Sequence, residues 1–205
     1  MPDLDAAYAP RTPEDIRRLY ADWAATYDSD FAARMAYRLP DLVAQAYAAA
    51  GGTGPVLDAG AGTGLLGMAL AARSIGPIDG IDLSPEMLDR SRAKGIYRHL
   101  AEGDLTHPLT PPAPPYAGVT SSGTFTHGHV GPAALDHLLG IMRPGAILAA
   151  SVNAKVWHSA GWPAALTTLA PRIAHQTLTE EPIYADAPDP AHREDTALIL
   201  TFRLR

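Results

Sequence analysis

Residues 56–64 read VLDAGAGTG: an apolar run meets a carboxylate, Asp58, and glycine then stands at Gly60, Gly62 and Gly64. Backbone amides in a glycine loop, and the helix start behind such a loop, favour anions. A negative side chain directly before the loop therefore serves a phosphate poorly. It suits a cationic ligand group, such as an amino acid's ammonium or a sulfonium. Spacing argues the same way. The dinucleotide fingerprint G-x-G-x-x-G, counted from Gly60 and Gly62, needs a small residue where this chain has Leu65, and no Gly-Lys-Ser/Thr follows to make a P-loop. A nicotinamide-dependent oxidoreductase is disfavoured by Leu65 and Asp58 together.

From Pro55 onward, short apolar runs alternate with amphipathic stretches, the pattern of a parallel sheet covered by helices. Strands are expected at 55–59, 77–82, 97–101, 117–121 and 145–151, with helices beginning near Gly64, Pro85 and Pro132. Ser84-Pro85 and Gly131-Pro132 are ready helix starts. The helix after Pro132 carries Leu135, Leu138, Leu139 and Met142 on one face, and a later one carries Trp162, Leu166, Leu169 and Ile173. Residues 176–185 are mostly polar and interrupted by Pro182, which a strand tolerates at a sheet edge. The final run, ALILTFRL, alternates Leu198, Leu200, Phe202 and Leu204 and is apolar enough to be interior. The loop between them, 186–196, contains Pro188 and Pro190.

Upstream of the glycines the sequence reads as helical. Thr12, Pro13 and Asp15 start one helix, along which Ile16, Leu19, Tyr20, Trp23 and Tyr27 recur at helical spacing. A second, about Pro40 to Ala50, stops at Gly51 and Gly52. The expected architecture is an α/β, Rossmann-like three-layer sandwich in one domain, 1–205. Its mostly parallel seven-stranded sheet has an antiparallel C-terminal strand; residues 1–52 form an N-terminal helical segment, and 53–205 the sheet and its helices.

Composition narrows the partners. A formal charge of -6, from 16 basic and 22 acidic residues without a Lys/Arg cluster, lacks the footprint of a nucleic-acid binder. With no cysteine there is neither a disulfide nor a thiolate nucleophile. The start, MPDLDAAYAP, lacks the order of a signal peptide, and no apolar run reaches a membrane-spanning length, so a cytoplasmic protein without a membrane partner is expected. There is no internal repeat, and the one low-complexity patch is PPAPP at 111–115.

VLDAGAGTG resembles the first motif of class I S-adenosylmethionine-dependent methyltransferases, and later segments agree with it in order and spacing. GIDLSPEML ends its strand on Asp82, 24 residues after Asp58, where the family's acid accepts from the ribose hydroxyls, with Leu83 and Met87 lining the adenine. In EGDL, Asp104 is implied to accept from the adenine amino group, and the Leu105 amide to meet a ring nitrogen. YAGVTSSGTF resembles the fourth-strand segment, placing Ser121 near the methionine end, and MRPGAIL resembles the turn into the fifth strand. Upstream, LYADWAATYDSDF resembles the lid of the ubiquinone-biosynthesis-like and Williams-Beuren-region-like branches, in which an aromatic matching Tyr27 closes over the ligand. Two departures are Ala117, where the family usually has Asp, and Ala146, in place of the second glycine of its PGG turn.

The resemblance implies S-adenosylmethionine as cofactor, its demethylated product S-adenosylhomocysteine, and methyl transfer to a small-molecule O, N, S or C acceptor. A monomer or weak homodimer is expected. The alternative is a non-catalytic protein of the same fold that binds the cofactor for regulation or as a partner's subunit. Asp58, Gly60 and Gly62 are read as cofactor residues, Asp58 meeting the ammonium; its bland reading is a cap on nearby amides. Asp82 and Asp104 are also ordinary capping and turn residues. THGHVG follows the fourth strand, so His127 and His129 are read either as loop residues or as substrate contacts and bases. No third ligand marks a metal site. Asn153, Trp157 and His158 are read as structural or as walls of the acceptor pocket. APPY at 113–116 has Ala113 where amino-group methyltransferases place Asp or Asn, and is set aside.

Overall fold

Two apolar layers sandwich one sheet, and the alternation of side chains along each inner strand assigns them. On β1 (Val56–Ala59), Val56 faces one layer while Leu57 and Ala59 face the other. Ile147 and Leu148 of β5 (Met142–Asn153), and Ile199 and Leu200 of β7 (Thr196–Leu204), split in the same way. This computed structural model describes residues 36–185 and 192–205, together with Arg18, Ala24, Tyr27 and Asp28. The helix expected through Ile16, Leu19, Tyr20 and Trp23, and most of the loop at 186–196, lie outside the described residues.

The remaining strands are β2 (Ile78–Asp82), β3 (His99–Glu102), β4 (Tyr116–Phe125) and β6 (Ile173–Pro182). The helices are α1 (Leu39–Ala49), α2 (Leu65–Ala71), α3 (Pro85–Ala93), α4 (Ala134–Leu139) and α5 (Trp162–Leu169). The sheet order is β3-β2-β1-β4-β5-β7-β6. Pairings from β3 through β5 are parallel, and β7 runs antiparallel to both β5 and β6. The seven-stranded, mostly parallel sheet with an antiparallel last strand is therefore as expected. So is the polar run as edge strand β6, with the apolar ending inside.

α1 lays Val43, Ala44 and Tyr47, all fully buried, on the layer containing Val56, Leu70 and Ile147. On the opposite layer α4 and α5 bury Leu135, Leu138 and Trp162, whose ring meets Phe125 edge-on at 4.9 Å. α3 starts as its sequence requires: the Ser84 hydroxyl accepts from the Met87 amide at 3.2 Å, with Pro85 in the first turn.

Several boundaries differ from expectation: β4 and β5 are longer than expected, and Met142, expected on the helix after Pro132, opens β5 because that helix ends at Leu139. Ile173 opens β6 instead of ending α5, because Ala170–Arg172 tighten into a 3-10 turn around Pro171, which has no amide proton to continue the helix. β6 spans 173–182 instead of 176–185 and is bulged at His175, where φ is +53°. α4 begins at Ala134, since Gly131 and Pro132 are spent in turns accepting from the Ala134 and Leu135 amides.

At the start of β2, Asp79 is fully buried. It accepts from Arg98 at 3.0 and 2.7 Å and from the Tyr116 hydroxyl at 2.9 Å, with His99 Nδ1 at 3.1 Å. Burial pushes this carboxyl up, but the hydrogen bonds from Arg98 and Tyr116 outweigh it and hold it below its ordinary value. The cluster ties β2, β3 and β4 together at the end of the sheet remote from the glycine loop. No helix among the described residues is long and apolar enough to cross a membrane.

Candidate functional site

The chain runs outward from β1 to β3 and returns to β4 on the other side of β1, so a crevice opens beyond the carboxyl ends of β1 and β4. A cavity of about 340 Å³ occupies it, a size that suits a small-molecule ligand.

Its floor is the glycine loop. The amides of Gly60 and Ala61 both donate to the Ile81 carbonyl, at 2.8 and 2.9 Å, fixing the loop to β2. Gly60 sits at φ +77°, and a methyl group there would lie 2.1 Å from Thr124 Oγ1, so only glycine lets β4 approach. Gly62, at φ +53°, has open space where a side chain would point. The loop is held from above as well, by Ser91 Oγ donating to the Gly62 carbonyl at 2.7 Å.

Asp82 closes one side. Its Oδ2 accepts from the Gly62 amide at 2.7 Å and its Oδ1 from the Ser84 amide at 2.9 Å, and the residue lines the cavity. Burial pushes its carboxyl up, against the pull of the Ser84, Gly62 and Leu83 amides. Leu83 and Met87 line the same side. Beyond β3, Gly103, Asp104, Leu105 and Thr106 form the next wall. Asp104 Oδ1 accepts from both the Thr106 amide at 2.8 Å and its hydroxyl at 2.7 Å, and Oδ2 lies 3.1 Å from His107 Nδ1. Burial opposes ionisation here, but these partners prevail and hold the carboxyl below its ordinary range.

The far wall comes from β4. Its register with β5 shifts between Ser121 and Phe125, and the bulged residues Ser122, Gly123 and Thr124 turn toward the cavity. His129, Val130, Tyr27 and Tyr37 complete that end. Tyr37 forms an antiparallel bridge with Tyr184, and its hydroxyl fills the space that a Gly123 side chain would need, 2.4 Å from the Cβ position.

Nine of the twelve residues singled out in the sequence therefore border one cavity: Tyr27, Gly60, Gly62, Asp82, Leu83, Met87, Asp104, Leu105 and His129. Three do not. Asp58 shares the Val56 face of β1, is fully buried, does not line the cavity, and accepts from the Tyr97 hydroxyl at 2.6 Å. Ser121 is buried before the bulge and donates to the Ala59 carbonyl at 2.6 Å. His127 and His129 are separated by the turn at Gly128, φ +69°, and only His129 borders the cavity. Burial and the Lys155 charge hold the His127 imidazole below the ordinary value, against the Asp195 charge. Asn153 and Trp157 have structural roles. Asn153 accepts from the Lys155 amide at 2.9 Å, and Trp157 stacks on Trp162 with ring centroids 6.0 Å apart.

The sequence reading missed Thr63, Tyr37 and the bulged β4 residues. Thr63 was legible as the polar residue of the glycine loop; Tyr37 carried no signal apart from being aromatic. Among the described residues, no group of three or more His, Cys, Asp or Glu side chains is placed to hold a metal.

A family model described as a methyltransferase domain matches residues 56–145. Methyltransferase-like protein 27 of Homo sapiens is 32% identical over 134 residues, 63% of this chain and 54% of that protein, so the chain spans about half the length of this curated relative. Among solved structures, the complex of DhpI with S-adenosylhomocysteine has a TM-score of 0.67 at 18% identity, covering 95% of this chain and 97% of that one. Magnesium protoporphyrin IX methyltransferase from Synechocystis PCC 6803, with bound S-adenosylmethionine, has a TM-score of 0.66 at 18% identity, covering 93% and 96%. These likenesses establish the fold.

Proposed function

We infer, from a methyltransferase domain at residues 56–145 carried on a Rossmann-like methyltransferase fold, that this protein transfers a methyl group from S-adenosylmethionine to a small-molecule acceptor. The observation that carries this reading is the convergence of the glycine loop, Asp82 and Asp104 on one cavity of about 340 Å³. The residues fit the cofactor: open space at Gly62 admits a close ligand, and two carboxylates stand at successive strand ends.

In this proposal Asp82 accepts from the ribose hydroxyls with the lone pairs that its Gly62 and Ser84 contacts leave over. Leu83, Met87 and Leu105 enclose the adenine, and Asp104, kept ionised by Thr106 and His107, accepts from its amino group. The cofactor supplies an activated methyl on a sulfonium, ready for in-line displacement. What remains for the chain is to hold the acceptor in line and exclude water, positioning worth roughly 7–11 kcal/mol in favourable systems. Tyr27, Tyr37 and the β4 bulge form that end, and His129 is placed there to take a proton from a hydroxyl acceptor. Asp58 supports the site from beneath through Tyr97 without touching the ligand.

The proposal extends to a cytoplasmic monomer or weak homodimer, which cell fractionation and sedimentation would check. Incubation with methyl-labelled S-adenosylmethionine and a panel of phenols, amines, thiols and carboxylic acids tests the reaction. Label recovered in an acceptor supports it; cofactor binding without any transfer supports a regulatory protein instead.

A further inference from the structure

Asp28 follows Tyr27 and lies outside the cavity, yet it joins three parts of the molecule. Its Oδ1 accepts from Thr63 Oγ1 at 2.5 Å, and its Oδ2 from Lys94 Nζ at 2.6 Å. Thr63 belongs to the glycine loop, is 2% exposed and borders the cavity. Lys94 is the C-terminal cap of α3, three residues after Ser91, whose hydroxyl holds the Gly62 carbonyl. The Lys94 side chain is 19% exposed and that of Asp28 41%, so solvent screens part of this ion pair, while the bond to the buried Thr63 is shielded. Tyr27, next in the chain, borders the same cavity.

We propose that Asp28 is a positioning residue for the cofactor: by gripping Thr63 and Lys94 together it fixes Tyr27 against the glycine loop and slows the release of bound nucleoside. This rests on the reading of the cavity as the S-adenosylmethionine site. Both partners of Asp28 are already held, Thr63 by the loop and Lys94 by α3, so the carboxylate meets a preformed pair of donors. Fixing a wall of a site in its bound position chiefly lowers the rate of dissociation. A residue acting through Tyr27 should leave association nearly unchanged.

The test is stopped-flow binding of S-adenosylhomocysteine to wild type, Asp28→Ala, Lys94→Met and Lys94→Arg, with the melting temperature of each ligand-free protein. Asp28→Ala and Lys94→Met are expected to release the ligand about tenfold faster with association within about twofold of wild type. Lys94→Arg, which keeps the charge pair, should release it at about the wild-type rate. Wild-type release rates in both Asp28→Ala and Lys94→Met overturn the proposal, whether or not either variant melts earlier. A wild-type protein that binds no S-adenosylhomocysteine overturns the cofactor reading, and this positioning role with it.

Discussion

The Tyr97 hydroxyl donates to Asp58 Oδ2 at 2.6 Å beneath the glycine loop, in a space where Asp58 is fully buried. Burial pushes the Asp58 carboxyl up from 3.8 to about 7, although Tyr97 pulls it down. Burial and the Asp58 charge together raise the Tyr97 phenol, so Tyr97 stays protonated as donor. A folded-state value above the unfolded one contributes stability that is fully present below pH 3.8 and lost as pH rises through about 7. Asn cannot titrate. The melting temperature of Asp58→Asn relative to wild type should therefore rise between about pH 4 and pH 7 and level off above it. A difference that stays constant across that range would show that Asp58 does not titrate there.

Asp79 has the opposite sign. Its folded value lies below the ordinary 3.8, so its contribution is present above that pH and is lost as pH falls through the lower folded value. Asp79→Asn should destabilise the protein at pH 7 by about 1–3 kcal/mol, discounted because the Arg98 side chain is 36% exposed. At about 2–4 °C per kcal/mol, this is visible in a thermal melt. The gap from wild type should narrow below pH 4; equal melting temperatures at pH 7 would rule out the cluster as a tie between strands.

Asp82→Ala removes the acceptor assigned to two hydroxyls and the anchor of the Gly62 amide. With charged hydrogen bonds worth about 1.5–3 kcal/mol each, affinity for S-adenosylhomocysteine should fall on the order of a hundredfold by calorimetry. Unchanged affinity would remove the ribose assignment.

His129→Ala should lower turnover by about tenfold or more with a hydroxyl acceptor while leaving cofactor affinity intact. His127→Ala, outside the cavity lining, should change turnover much less. The reverse ranking in steady-state kinetics would contradict the placement of the two rings.

Much of this architecture could be read from periodicity and punctuation. Alternation along ALILTFRL and the polar run broken by Pro182 correctly separate an interior strand from an edge strand, since each face of a strand reports its own surroundings. Asp82 and Asp104 were legible through the family resemblance of GIDLSPEML and EGDL, since alone each is an ordinary capping or turn residue. The partner of Asp58 was not, because Tyr97 stands 39 residues away and meets it only when β3 folds beside β2. The division of roles between His127 and His129 depends on one positive φ at Gly128, which residue types alone do not reveal. Asp28 was passed over beside Tyr27 because its two partners, Thr63 and Lys94, lie 35 and 66 residues onward.

The central claim is that one cavity, bounded by the glycine loop, Asp82 and Asp104, holds S-adenosylmethionine. A crystal structure with S-adenosylhomocysteine tests it most directly. The expected result is ribose hydroxyls within hydrogen-bonding distance of Asp82 and adenine between Met87 and Leu105; a ligand seated elsewhere, or ribose turned away from Asp82, would contradict it.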